Sequence, residues 1–256
     1  MAIFVLSDIH GRLKEMLALL HSHGLIDREV NYTGRNHTLV FLGDYTDRGE
    51  HGKEVLDVVM RLSHQAPDQV HALLGNHDLM LLAAALHPNH QGKDARYTLK
   101  DFWLNNGGQK RDLRHLQPHH IEWLQSRPAL LKLGEYLFMH ADSLMYLRYG
   151  RNLRDVNWFF RQVMCFGDAA LWAILIEEFT ERRAFFQDTT LIQPVLEAFG
   201  GSCMVHGHTP IHYMLGIERD AVLTLTEPYM YANGKCINVD GGLSDSRARG
   251  VILELP

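Results

Sequence analysis

Six short clusters of Asp, His, Asn and Gly punctuate the chain, each directly after an apolar run. They are Ser7-Asp8-Ile9-His10-Gly11, Gly43-Asp44-Tyr45-Thr46-Asp47-Arg48-Gly49, Gly75-Asn76-His77-Asp78, His140-Ala141-Asp142, His206-Gly207-His208-Thr209 and Asp240-Gly241-Gly242. Asp8 and His10 stand two apart, so on extended backbone their side chains point the same way and one metal ion could take both. Asp44 adds a carboxylate whose two oxygens can bridge a pair of cations, and the amide of Asn76 with the imidazoles of His140 and His208 suits Mn, Fe or Zn. Two such ions held roughly 3.5 to 4 Å apart would lower the pKa of a shared water toward neutrality and clamp a phosphoryl group for in-line attack. His77, next to Asn76, could protonate the leaving alkoxide if Asp47 held and oriented its ring. Arg48 offers a planar fork of donors matched to phosphate.

Those residues need a scaffold that brings five or six distant segments to one place. The apolar runs Ile3 to Leu6, Thr38 to Leu42 and Val70 to Leu74 read as strands, and the segments between and after them, Leu13 to His21, Lys53 to Leu62 and Leu79 to Leu86, carry apolar residues near the helical period. Tyr136 to Met139, Cys203 to Val205 and Cys236 to Val239 are further strands. In layered α/β arrangements loops converge at the carboxyl ends of strands, so the clusters could share one crevice. From about Tyr146 to Phe199 the pattern predicts helices, including Ala169 to Phe186, set beside the site; Trp158, Phe159, Phe160 and Trp172 there read as packing residues. Tyr213 to Ile217, Ala221 to Thr226 and Val251 to Leu255 read as short strands of antiparallel sheet with turns at Asn233-Gly234 and Gly241-Gly242.

The bulk properties narrow the class. At 256 residues, a single domain over 1–256 with an insertion at about 146–199 is expected. A net charge of −5 argues against a nucleic-acid surface, which would need clustered Lys and Arg. The first apolar stretch is too short for a signal or membrane segment, so the expected home is cytoplasmic and no membrane partner is implied. Cys165, Cys203 and Cys236 are odd in number and widely spaced, which predicts buried, reduced thiols. Of the 17 histidines most need an explanation other than catalysis; His21, His23, His119 and His120 read as solvated surface residues.

With these clusters in hand, the chain resembles the calcineurin-type metallophosphoesterases. Gly43-Asp44-Tyr45-Thr46-Asp47-Arg48-Gly49 and Gly75-Asn76-His77-Asp78 are closest to the phosphoprotein phosphatase branch, with Asp78 where Glu is usual and Pro210 where other branches carry a further His. Phe102-Trp103-Leu104-Asn105-Asn106-Gly107-Gly108 and the His140 block are similar to phage lambda phosphatase and its bacterial relatives. The resemblance implies an α+β fold, a four-layer α/β/β/α sandwich of two mixed sheets with flanking helices. It implies two divalent metal ions, most often Mn, with Fe or Zn possible. Asp8 and His10 would hold the first, Asp44 would bridge, and Asn76, His140 and His208 would hold the second. It further implies His77 as general acid, Asp47 as its orienting partner, Arg48 as a phosphate ligand and a second Arg from the middle segment, for which Arg161 is the first choice and Arg183 the other. His206 is expected to play a structural or supporting part. The implied partner is a phosphoprotein or small phosphate ester, cleaved by a serine/threonine phosphatase-type reaction. Hydrolysis of diadenosine tetraphosphate is the alternative, disfavoured by the lack of an obvious basic set. Less expected are a metal-bound inactive scaffold and a phosphodiesterase or nuclease.

Overall fold

The computed structural model describes residues 1–92 and 96–256. In chain order the first half contains β1 (Ile3–Leu6), α1 (Leu13–Ser22), β2 (Thr38–Phe41), α2 (Gly52–Gln65), β3 (Val70–Ala72), α3 (Asn76–Leu86), α4 (Leu99–Asn105), α5 (Lys110–His115) and α6 (Pro118–Gln125). The second half contains β4 (Leu130–Leu133), β5 (Tyr136–Met139), α7 (Tyr146–Tyr149), α8 (Leu153–Phe166), α9 (Ala169–Glu178), α10 (Ala184–Gln187), α11 (Ile192–Phe199), β6 (Cys203–His206), α12 (Ile211–Met214), β7 (Tyr229–Tyr231), β8 (Cys236–Asn238) and β9 (Leu253–Leu255). Two mixed sheets result, β3-β2-β1-β9 and β4-β5-β6-β8-β7. Among the described residues no helix is long and apolar enough to cross a membrane.

The strands are apolar on both faces because each sheet is covered twice. Val5, Val40, Phe138, Val205 and Ile237 face one another in a core between the sheets, while their neighbours Phe4, Leu6, Leu39, Phe41, Leu137, Met139 and Met204 join the larger core under the helices. This alternation makes the four layers, as the resemblance implies. Strands β1, β2 and β3 run parallel, as do β5, β6 and β8. Their carboxyl ends therefore open toward common edges, and Asp8, Asp44, Asn76, His140, His208 and Asp240 all follow such ends.

Helix α3 shows how local sequence sets up the site. Its middle, Leu79 to Ala84, is buried all round, as a helix apolar on every side must be. Its polar first turn is buried too, so its free N–H groups need partners. Asp78 reaches back to accept from the Gly75 N–H at 2.9 Å, in the manner of a capping box. The same carboxylate accepts the N–H groups of Asp44 at 2.8 Å and Tyr45 at 3.1 Å, tying the loop after β2 to the helix. Asp44 in turn accepts the His77 N–H at 2.8 Å. Asp78 is thus the clamp between two clusters, and the shorter acid suits a reach of one helical turn.

Several expectations are corrected. Tyr213 to Ile217 and Ala221 to Thr226 are not strands: α12 and a 3-10 turn at Arg219–Leu223 occupy them. Pro210 starts α12, Ile211 and Met214 are buried three apart, and Gly216 turns the chain at φ 65°, so the apolar alternation is that of short helical turns. The terminal strands do not make one antiparallel sheet, since β8 lies parallel to β6, antiparallel only to β7, and β9 joins the other sheet. Trp158 is 63% exposed rather than packed, whereas Phe160 and Trp172 are buried as expected. Cys165 is exposed, and only Cys203 and Cys236 are buried. His120 is fully buried, its Nε2 2.8 Å from Asp57.

If Asp78 is the clamp, Asp78→Ala strands three buried N–H groups and should destabilise the fold by about 2–4 kcal/mol, at roughly 1 kcal/mol or more per group. Urea denaturation measures this; a midpoint equal to the unsubstituted protein's would refute the role.

Candidate active site

The sandwich closes over a small cleft of about 280 Å³. Asp8, His10, Asp44, Asp47, Asn76, His77, His140 and His208 converge there, none more than 5% exposed. Bonds between the sheets lock the edges together. The His208 N–H donates to Asp8 Oδ2 at 2.8 Å, and His140 Nδ1, from the second sheet, donates to the Leu42 carbonyl of the first at 2.9 Å.

The ring orientations follow from these partners. Nδ1 of His10 faces the Thr46 carbonyl at 3.1 Å and Nδ1 of His140 faces that of Leu42, so in each ring the proton sits on Nδ1 and the Nε2 lone pair points inward. Asp44 Oδ2 lies between the two lone pairs, 3.7 Å from His10 and 3.5 Å from His140. Asn76 Oδ1 lies 2.9 Å from both His140 Nε2 and His208 Nδ1. With the His140 Nδ1 proton spent on Leu42, its Nε2 and the Asn76 oxygen face each other as two acceptors, an arrangement a cation resolves. Donor atoms of His10, Asp44 and His77, and of Asp44, His140 and His208, each fall within 4.8 Å of one another, with Asp44 common to both groups.

Electrostatics points the same way. Burial, followed by the charges of Asp8 and Asp78, holds Asp44 well above the usual carboxylate range. Burial and then Asp8 do the same to Asp240, which lines the cleft and which sequence reasoning placed only in a strand-end cluster. Burial also works against ionised Asp8, but His140, His10 and Ser7 outweigh it and bring its pKa down. Crowded buried carboxylates and inward lone pairs are the donor set of a divalent cation site.

Beside the donors stands a second constellation. His77 Nδ1 lies 2.7 Å from Asp47 Oδ2, and the Trp103 indole N–H donates to both Asp47 oxygens, at 2.9 and 3.0 Å. The Asp47 N–H is held by Asp112 at 3.1 Å. Burial raises Asp47 to about 7 against the pull of Trp103, and lowers His77 well below its usual value, with Arg48 adding to the shift. At 2.7 Å the ring and the carboxylate share one hydrogen bond, which fixes the ring's orientation. On the far side of the ring, Arg48 Nη2 lies 3.2 Å from His77 Nε2.

Arg161 does not reach the cleft; it sits on the exposed face of α8, since the buried face takes Val156, Phe160 and Val163. Arg182 lines the cleft instead, from the turn between α9 and α10, and Arg219 enters from the segment after α12. Arg183 lies behind them, its N–H donating to Asp142 at 2.6 Å. That carboxylate also receives the Tyr231 hydroxyl, which lies 2.8 Å from His206 Nε2, so His206 belongs to a buried network under the Arg182 turn. Reasoning from sequence missed Arg182, Arg219, Trp103, Asp112 and Asp240 as parts of the site. Only Trp103 and Asp240 had a signal, in the Trp-Leu-Asn-Asn-Gly-Gly block and the last strand-end cluster.

The backbone is strained where it carries these groups. Asp8, His10, Asp44, Asp47, Arg48 and His208 all have φ between 48° and 71°. Space is also tight, since a Cβ on Gly75 would lie 2.2 Å from Asp44 Oδ1. Gly75→Ala should push Asp44 from its place and cut divalent-metal content. Elemental analysis after dialysis, with circular dichroism to verify folding, checks this; unchanged metal in a folded variant would show that Asp44 tolerates the shift.

Comparison with known proteins completes the assignment. Over 148 residues the chain is 33% identical to a symmetrical bis(5'-nucleosyl)-tetraphosphatase of Acidovorax ebreus, a match covering 56% of this chain and 45% of that protein. The chain thus spans less than half the length of that relative. Serine/threonine-protein phosphatase 7 of Arabidopsis thaliana is 37% identical over 76 residues, covering 30% of this chain and 17% of that one. A cold-active protein-tyrosine phosphatase from a Shewanella species superposes with a TM-score of 0.72 at 24% identity, over 99% of this chain and 74% of that chain, which shows a shared fold. The family model for calcineurin-like phosphoesterases matches residues 1–212, the stretch that carries Asp8, His10, Asp44, Asn76, His140 and His208, the His77–Asp47 pair and Arg48. On fold, donor set and sequence alike, the chain belongs to the calcineurin-like phosphoesterases, a family of metal-dependent phosphoester hydrolases.

Proposed function

We propose that this phosphoesterase cleaves the phosphoanhydride chain of a dinucleoside tetraphosphate symmetrically, releasing two nucleoside diphosphates. The supporting observation is the meeting of three guanidiniums, Arg48, Arg182 and Arg219, in the cleft that holds the donor set. The sequence offered no basic cluster because these arginines come from three distant segments. Against them stand Asp8, Asp44, Asp240 and Asp245; with two divalent ions bound the cleft is net positive, which suits a chain of several phosphates better than a single one. The similarity to the Acidovorax tetraphosphatase supports the same reading. Phosphomonoester hydrolysis of the serine/threonine type is the second reading, favoured by the Arabidopsis phosphatase match.

In this reading Asp8 and His10 would hold one ion, Asp44 would serve both, and Asn76, His140 and His208 would hold the other; Mn is the expected metal, with Fe or Zn also suited to these donors. When bound, the ions supply Lewis acidity and a nucleophile at neutral pH. Arg48 and Arg182 grip phosphoryl oxygens. With Arg48 drawn onto a phosphoryl oxygen, His77 Nε2 would be free to carry a proton to a departing alkoxide, while Asp47, fixed by Trp103 and Asp112, holds Nδ1 and favours the imidazolium that gives the proton up. We place the activity in the cytoplasm, where three free thiols would persist.

Two substitutions test the roles. Asp44→Asn removes the shared charge and should lose about half or more of the bound divalent metal, read by elemental analysis; full content would contradict the bridging role. His77→Asn should slow an alkyl phosphate by about 10²–10⁴-fold, since an alkoxide needs a proton to leave. On the tetraphosphate the loss should stay below about tenfold, because a nucleoside diphosphate leaves readily as an anion. Equal losses on both would remove His77 as general acid. The reading itself rests on a direct comparison: a kcat/KM for diadenosine tetraphosphate no higher than for a phosphoserine peptide would favour the monoesterase.

A further inference from the structure

At the mouth of the cleft stands Tyr213 on α12, an aromatic residue 55% exposed although it lines the same cavity as Asp44 and His77. An exposed ring is usually mobile, but this one is backed. The Arg183 guanidinium carbon lies 5.8 Å from the Tyr213 ring centroid and 5.5 Å from that of Phe186. Phe186 packs in turn on Tyr231 at 5.8 Å. The Arg183 backbone is anchored, its amide N–H donating to buried Asp142. Its Nε is buried with no hydrogen-bond partner among the described residues, so its attraction to the two rings is the interaction that places it. A layered stack of Phe186, Arg183 and Tyr213 therefore ends in a preorganised aromatic surface at the cleft mouth.

Six residues further on, Arg219 enters the cleft. Its Nε donates to Asp245 at 2.7 Å, and Asp245 is already bonded by Arg247. The terminal nitrogens of Arg219 have no partner among the described residues, and its side chain is 72% exposed. A free planar fork beside a backed aromatic ring joins the two chemistries of a nucleotide, an anionic phosphate and a flat base.

We infer that Tyr213 and Arg219 form a nucleotide subsite, with the base stacked on Tyr213 and the phosphate adjoining it on Arg219. The inference deepens the proposed function, since the occupant is one nucleoside diphosphate half of the dinucleotide. It also explains why a cavity of only about 280 Å³ would suffice for a large substrate: the base lies at the mouth, where no enclosure is needed.

Adenosine diphosphate and inorganic pyrophosphate separate base from phosphate, and calorimetry on the metal-loaded protein measures both. The expected result is that adenosine diphosphate binds about tenfold more tightly than pyrophosphate, and that Tyr213→Ala removes this advantage while leaving pyrophosphate affinity unchanged. Tyr213→Trp should restore it. Arg219→Gln should weaken both ligands alike. Equal affinity of the unsubstituted protein for the two ligands would overturn the subsite, as would a Tyr213→Ala loss shared by both. Base-dependent binding without turnover of diadenosine tetraphosphate would leave the subsite standing and sink the proposed reaction instead.

Discussion

The structure turns on the mutual repulsion of carboxylates buried in one crevice. Asp8, Asp44 and Asp240 are each no more than 2% exposed, and Asp8 raises the cost of ionising the other two. Buried like charges are tolerated only when something positive or many hydrogen bonds compensate them. Much of what surrounds the crevice supplies that compensation. Backbone N–H groups of His77 and His208 point at Asp44 and Asp8, the first turn of α3 is aimed inward, and imidazole rings are turned so that lone pairs meet where a cation would lie.

The same logic runs outward in shells. Asp44 is placed by its own N–H on Asp78, and Asp47 by Trp103 and Asp112. The carriers of these supports come from α3, α4 and α5, which have no donor to the cation site beyond the first turn of α3. Helices α4 and α5, packed against α3, thus hold the chemistry rigid from behind, and preorganisation of this kind is what an electrostatic active site requires. On the other side, the His206, Tyr231 and Asp142 network fixes the turn bearing Arg182 and Arg183.

How far the sequence disclosed all this depends on whether a residue's partner is local. The convergence of Asp8, His10, Asp44, Asn76, His140 and His208 was legible because each follows an apolar run that reads as a buried strand, and parallel strands must deliver their ends to one edge. The meeting of His77 and Asp47 beside that cluster was legible from their adjacency in sequence to Asn76 and Asp44. Arg161 was misplaced because the second arginine depends on where a helical turn lands in space, and a segment that holds Arg148, Arg151, Arg154, Arg161, Arg182 and Arg183 gives no hint which one points inward. The strands expected at 213–217 and 221–226 failed for a related reason: short apolar alternations read alike in a strand and in successive helical turns, and only Pro210 and Gly216 marked the difference. The convergence of Arg48, Arg182 and Arg219 is purely tertiary.

The left-handed backbone of the donors bears on which residues could ever fill these positions. Asp8, His10, Asp44 and His208 each have φ from 48° to 66°. Among side chains that can ligate a cation, Asp, Asn and His are the ones that enter this region with least penalty, whereas Glu, Gln and Cys are less at home there. Coordination chemistry alone would admit a wider alphabet. The turns narrow it, so a replacement at any of these four places must satisfy the torsion angle before it can offer a donor to a cation.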